Sequence, residues 1–390
     1  MLSASSVVDQ NDRILMLPGP TDIPDVTYRA MTSRMINHRD EDFRQLHRET
    51  LSMVRKVIGA DSGDVFVLTC SSTGGIEAAV ANLLDRNDRV LSFVNGLFAE
   101  RMTEAARYYS DRVEAIELPL GTAPTLEKVR SEVESKGADA VLLVHNETST
   151  GAYCSEVPAI ADYCRRNGIA LIVDGVTSIG GYPLELSRWG VTCFVGGTQK
   201  CLAAPPGLAI LYISDEGWER VRRKQRRPHY FDLIAHKEFM KKWETPFTPA
   251  VSLFFALHAS LRYITETVGL ERWFANHASG AAAFYEGLER MGIEIFPAPE
   301  FRSRTLIAGV LPDGITDADL TKTMKERYGV HIAGGMGKTK GKIFRIGNMG
   351  MVTPERVSRT LEALAGTLRA LGFKVNDVDV RSIVEKRFGS

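Results

Sequence analysis

Neither sign of charge dominates this chain: 48 basic residues are balanced by 48 acidic ones, for a formal net charge of +0. Phosphate backbones select basic surfaces, so nucleic acid is not expected as the main partner. A local basic pocket for a small anion stays compatible with that balance. Cysteine is scarce and unpatterned. Cys70, Cys154, Cys164, Cys193 and Cys201 are odd in number, and no two stand at CxxC spacing. Neither a disulfide framework nor a structural zinc site is indicated, and no metal is expected. No run reaches the ~20 apolar residues that a membrane span needs. The stretch MLSASSVVDQNDR has no basic region followed by an apolar one. The expectation is a soluble, cytoplasmic protein with no membrane partner. A GxGxxG turn after an early strand is missing, which argues against a nicotinamide dehydrogenase. Repeats and low-complexity tracts are absent too.

What is present is alternation. The 390 residues, 44% of them hydrophobic, suffice for a large core and two domains. Short apolar runs at 65–69, 89–94, 113–118, 140–144, 171–173, 193–195 and 208–213 read as strands. Helical patterns near 76–84, 100–109 and 158–167 separate several of them. Strand–helix alternation with near-continuous apolar strands predicts a mostly parallel α/β sheet covered on both faces. The two prolines of TPFTPAVS (245–252) punctuate the chain before a long helical pattern, about 253–267. Beyond it, strands are predicted at 294–296, 305–310, 331–333 and 343–346, in a smaller α+β domain. The expected partition is 1–22 packing on the small domain, 23–265 as the large domain and 266–390 as the small one. The basic run RRKQRR (222–227) is read as a solvated helix face or loop.

Two residues carry the chemistry. Asp174 ends the apolar run of LIVDGVTSIGG, and Lys200 follows the next one in FVGGTQKCLAAPPGL, 26 residues on. Lysine in a dry pocket loses its proton readily and becomes a nucleophile able to form a Schiff base with an aldehyde. A buried carboxylate needs a partner, and a protonated pyridine nitrogen is one. Taken singly, each has an ordinary reading, a surface lysine and a capping aspartate. SSTGG (71–75) opens a helix directly after a strand. Its backbone N–H groups and the hydroxyls of Ser72 and Thr73 form an anion cradle suited to a cofactor phosphate. It lacks the GK[ST] of a P-loop. Phe98 follows Asn95-Gly96 at another strand end, where an aromatic either stacks on a flat cofactor or packs in the core. Arg345, inside the apolar strand of KIFRIGNMG, needs either a structural ion pair or a substrate carboxylate.

Together these residues resemble the class V aminotransferases, fold-type I enzymes that use pyridoxal 5′-phosphate. The nearest subgroup is similar to alanine–glyoxylate and serine–glyoxylate (serine–pyruvate) aminotransferases. The resemblance spans nearly the whole chain, from LPGPTDIP (17–24) and NHRDEDF (37–43) through STGGIEAA, NGLFAER, HNETSTG, VDGVTSIGG, GGTQKCLAAPPGL and FTPAVSL to FRIGNMG. It implies a seven-stranded large domain and a ping-pong transaminase acting on small amino and 2-oxo acids. It makes Lys200 the Schiff-base lysine and Asp174 the partner of the pyridine nitrogen. Val176 would touch one face of the ring and Phe98 the other. Ser72, Thr73, Gly74 and Gln199 would serve the phosphate, and Thr148 the ring hydroxyl. Thr248 would reach a neighbouring subunit's phosphate, implying a homodimer with shared sites. Arg345 and the Gly19 backbone would meet the substrate. Ser72 stands where many relatives have glycine. KCLAAPPGL and the segment around Arg345 also resemble pyridoxamine–pyruvate aminotransferase, the alternative reading. A lyase or cysteine desulfurase shares the fold, but a desulfurase needs a cysteine on a substrate loop and a histidine at position 98.

Overall fold

The computed structural model describes residues 13–389. Seven strands form the main sheet: β1 (Asp64–Thr69), β2 (Arg89–Val94), β3 (Arg112–Glu117), β4 (Ala140–Val144), β5 (Ala170–Asp174), β6 (Cys193–Gly197) and β7 (Leu208–Ile213). Their spatial order is β1-β7-β6-β5-β4-β2-β3. Only β7 runs antiparallel to its neighbours; the other pairs are parallel. The strands β4 to β7 are buried at every position, whereas edge strand β3 is mostly solvent-facing. Parallel strands covered on both faces must be apolar throughout, which is why these runs stand out in the sequence. The antiparallel β7 has the same signature, because it too lies inside the sheet.

Helices pack on both faces. α1 (Ser72–Leu83) follows β1, α2 (Leu97–Arg107) follows β2, and α3 (Val157–Arg166) precedes β5. The parallel strands β4, β5 and β6 therefore end side by side, and the loops leaving them share one crevice. Leu171, Ile172 and Val173 are completely buried. At roughly 1.5–3 kcal/mol each, they anchor the strand that places Asp174 at its end. The next residue must be glycine, because a Cβ on Gly175 would stand 1.8 Å from the Phe194 ring.

The expected long helix starts as α4 (Val251–Arg262) and turns π-helical at Tyr263–Gly269. It leads into α5 (Leu270–Met291), so the helical path is longer than its sequence pattern suggests. A second core gathers α5 and later helices over a three-stranded sheet of β8 (Leu306–Val310), β9 (Ala333–Gly334) and β10 (Ile343–Gly347). Ile14–Leu15 pairs in parallel with Val330–His331, and Gly347 N–H donates to the Met16 carbonyl at 2.7 Å. Residues 1–12 of the expected N-terminal segment lie outside the described residues.

Three local expectations need correction. The strand expected at 294–296 is a single bridge between Ile295 and Gly309. The strand expected at 331–333 is split, one half pairing with Ile14–Leu15 and the other with β10. The basic run is not uniformly solvated. Lys224 is buried, donates to the Leu84 carbonyl and lies over the Tyr109 ring. Burial of the amine lowers its pKa, and the charges of Asp85 and Asp88 oppose that shift. No helix among the described residues is long and apolar enough to cross a membrane, and no group of three potential metal ligands occurs among them.

Candidate active site

One cavity at the ends of β4, β5 and β6 brings together most of the residues singled out in the sequence. Asp174, Val176, Gln199 and Lys200 line its sheet side. Ser72 and Thr73 line it from the start of α1, Phe98 from the start of α2, and Thr148 from the loop after β4.

Asp174 is 6% exposed, and its Oδ1 accepts from Val176 N–H at 2.9 Å. Among the described residues it has no ion-pair partner. Burial raises its carboxyl pKa to about 7, against the bond from Val176. The nearby Glu147 adds to the rise, and Lys200 opposes it. Lys200 is 8% exposed, and burial lowers its pKa to about 8, assisted by the charge of Arg345. Its Nζ donates to the Pro18 carbonyl. The Lys200 carbonyl accepts from Thr21 Oγ1 at 3.1 Å, tying the lysine turn to the LPGPT segment.

At the start of α1 the Ser71 hydroxyl caps the helix by accepting from Gly74 N–H at 3.2 Å. The N–H groups of Ser72 and Thr73, at the first two helical positions, have no acceptor within the helix. They border the cavity at the positive end of α1, with Ser72 Oγ held 3.0 Å from Gln199 Nε2. Gly74 stands apart. Its N–H is taken by Ser71, and its Cα faces Cys70 and Phe231.

Arg345, on β10, is 6% exposed and forms no salt bridge among the described residues. Its Nε donates to the Gly334 carbonyl at 2.8 Å and its Nη1 to the Thr148 carbonyl at 3.0 Å. The Met336 Sδ also lies 3.4 Å from Nη1. Nη2 has no hydrogen-bond acceptor among the described residues. Burial lowers the Arg345 pKa to about 10, which still leaves it cationic. Gly19 sits against Lys200 without lining the cavity, and Thr248 is exposed on this chain, away from it. Cys201 is completely buried beside Lys200, on no exposed loop.

The arrangement fits pyridoxal phosphate. A buried carboxylate without a cation suits a protonated ring nitrogen. Free N–H groups at a helix N-terminus suit a phosphate, and an aromatic and a valine lining the same cavity suit a flat ring. Sequence reasoning did not single out Asn146 or Arg101, which also line the cavity. Both stand inside quoted motifs, HNETSTG and NGLFAER. Arg101 lies 5.2 Å from the Phe98 ring centroid.

A family model described as aminotransferase class-V matches residues 26–354. An uncharacterized aminotransferase of Methanocaldococcus jannaschii is 36% identical over 377 residues, or 96% of this chain and 97% of the relative. A serine–glyoxylate aminotransferase of Methylorubrum extorquens is 32% identical over 347 residues, 86% of each chain. The crystal structure of ureidoglycine–glyoxylate aminotransferase from Bacillus subtilis superposes with a TM-score of 0.91 at 28% identity, covering 97% of this chain and 98% of that one. Pyridoxamine–pyruvate aminotransferase from Mesorhizobium loti superposes at 0.89 with 27% identity, covering 97% of each.

Proposed function

This chain belongs to the class V aminotransferases and is a pyridoxal-phosphate-dependent transaminase; from that premise we propose that it transfers the amino group of alanine or serine to glyoxylate or pyruvate by a ping-pong mechanism. The observation that supports the donor class is Arg345, a buried cation whose charge reaches Lys200 and whose Nη2 has no hydrogen-bond partner among the described residues. Its guanidinium binds one carboxylate, and Arg101, the other guanidinium at the cavity, lies against the Phe98 ring, so a small neutral side chain suits the site better than a second acid group.

When bound, pyridoxal phosphate supplies an electron sink for the charge that develops at the substrate α-carbon. Asp174 would pair with the ring nitrogen, and the N–H groups of Ser72 and Thr73, with Gln199, would hold the phosphate. Phe98 and Val176 would enclose the ring, and Thr148 would meet its hydroxyl. Lys200, whose pKa of about 8 leaves a useful neutral fraction near neutral pH, would take the α-proton at Nζ. Arg345 would orient the α-carboxylate, and the Gly19 backbone would border the same space. Thr248, exposed on this chain, would complete a partner subunit's phosphate site in a homodimer.

Pyridoxamine as donor is the second reading, supported by the likeness to the Mesorhizobium loti enzyme. The open helix start at Ser72 and Thr73 favours a phosphorylated cofactor and so the first reading. A coupled assay of alanine, serine, aspartate and pyridoxamine against glyoxylate and pyruvate tests both. Alanine or serine should turn over fastest. Preferred turnover of pyridoxamine or aspartate would replace this assignment.

A further inference from the structure

Glu147 is a completely buried carboxylate that the transamination chemistry does not require. It stands in the short strand Asn146–Glu147 after β4, paired with Ala152–Tyr153, yet its bonds reach the start of α2. Its Oε2 accepts from Phe98 N–H at 3.1 Å and Ala99 N–H at 3.0 Å. Its Oε1 accepts from Ser149 N–H at 2.9 Å and Ser149 Oγ at 2.7 Å. Ser149 Oγ in turn accepts from Leu97 N–H at 3.0 Å. The first three N–H groups of α2, which a helix leaves unpaired, are therefore all satisfied by residues 147 and 149.

The helix's own N-cap is Gly96, which has no side chain to offer. A Cβ there would stand 2.5 Å from both Glu147 Cγ and Ser149 Oγ. The space of an ordinary cap is occupied by a carboxylate from another strand end. A negative charge at a helix N-terminus is favourable, and several charge-assisted bonds fix its direction. The residue so held is Phe98, whose ring borders the cavity beside Asp174 and Lys200. The same carboxylate is one peptide from Thr148, whose carbonyl receives Arg345 Nη1 at 3.0 Å.

We propose that Glu147 is a positioning residue that locks the start of α2 so that Phe98 covers the cofactor ring. It touches neither cofactor nor substrate and acts through Phe98. The proposal rests on the reading that Phe98 contacts the cofactor. Burial raises the Glu147 carboxyl pKa, but the groups bonded to it all donate and favour the carboxylate; bonds to an ionised carboxylate are strong enough for their loss to cost about tenfold or more in a dependent equilibrium.

The test is the dissociation constant of pyridoxal phosphate from cofactor-stripped protein, measured by titration for wild type, Glu147→Gln, Phe98→Ala and the double variant. We expect about tenfold weaker binding for Glu147→Gln, and no further loss when it is added to Phe98→Ala. Gly96→Ala, which crowds the carboxylate without removing charge, should weaken binding by the same route and serves if Glu147→Gln folds poorly. Multiplying losses in the double variant, or wild-type affinity in both Glu147→Gln and Gly96→Ala, would overturn the proposal. Wild-type affinity in Phe98→Ala alone would overturn the reading beneath it, a distinguishable failure.

Discussion

Gly19 is pressed against Lys200: a Cβ at Gly19 would stand 2.6 Å from both Cδ and Nζ of the lysine. Its φ of +100° is also one that other residues seldom adopt. Gly19→Ala should therefore push the amine off its path while the rest of the cavity persists. We expect kcat to fall by about tenfold or more, since small misplacements of a reacting group cost that much. Steady-state kinetics on folded protein would check it. An unchanged kcat would show that Lys200 has slack the structure does not reveal.

Lys200 should also report its environment through pH. Burial lowers its pKa to about 8. Capture of pyridoxal phosphate by stripped protein, fixed with borohydride, should rise with pH around a midpoint near 8. Peptide mapping should find the label on Lys200, and Lys200→Ala should not acquire it. A midpoint near the ordinary lysine value would contradict a dry pocket.

Asp174 gives a pH dependence of stability with a definite sign. Its pKa rises from 3.8 to about 7 in the folded chain, so the folded state binds the proton more tightly than the unfolded one. The stability tied to the protonated form is complete below pH ~4 and is lost as pH rises through ~7. Cofactor-stripped Asp174→Asn should therefore gain on wild type between those limits, by about 1–4 kcal/mol at pH 8. Denaturant titration at pH 4 and pH 8 checks this. With cofactor present, the same variant should lose catalysis on the order of 100-fold or more, because the pyridine nitrogen loses its counter-charge.

Arg345→Lys keeps the charge but cannot reproduce a guanidinium that donates to the Gly334 and Thr148 carbonyls. We expect KM for both amino donor and oxo-acid acceptor to rise by about tenfold or more, from the loss of a charge-assisted contact. The cofactor's dissociation constant should change far less. A selective fall in cofactor affinity would instead assign Arg345 to the cofactor.

The sheet was readable because its central strands are buried on both faces. Ala140–Val144 and Leu208–Ile213 agree with the expected bounds, and Leu171–Val173 needed only one residue at each end. Asp174 and Lys200 were readable for a related reason, as polar residues breaking apolar runs. The π-helical Tyr263–Gly269 left no trace in a search for helical periodicity, since it disturbs the ladder without ending the helix. Lys224 was misread because a buried lysine and a solvated one share the same letter in a basic run. Glu147 was quoted within HNETSTG, yet its partners, Phe98 and Ala99, lie nearly fifty residues upstream. Periodicity records whether a residue is buried, not which distant helix it caps.

The central claim is amino transfer from a small donor, and a single half-reaction tests it most directly. Cofactor-loaded protein would be mixed with alanine or serine without any oxo acid, and the products measured against bound cofactor. We expect stoichiometric pyruvate or hydroxypyruvate, no free ammonia, and release of glycine only after glyoxylate is added. Ammonia or a sulfur product without a retained amino group, or no oxo acid from either donor, would contradict it.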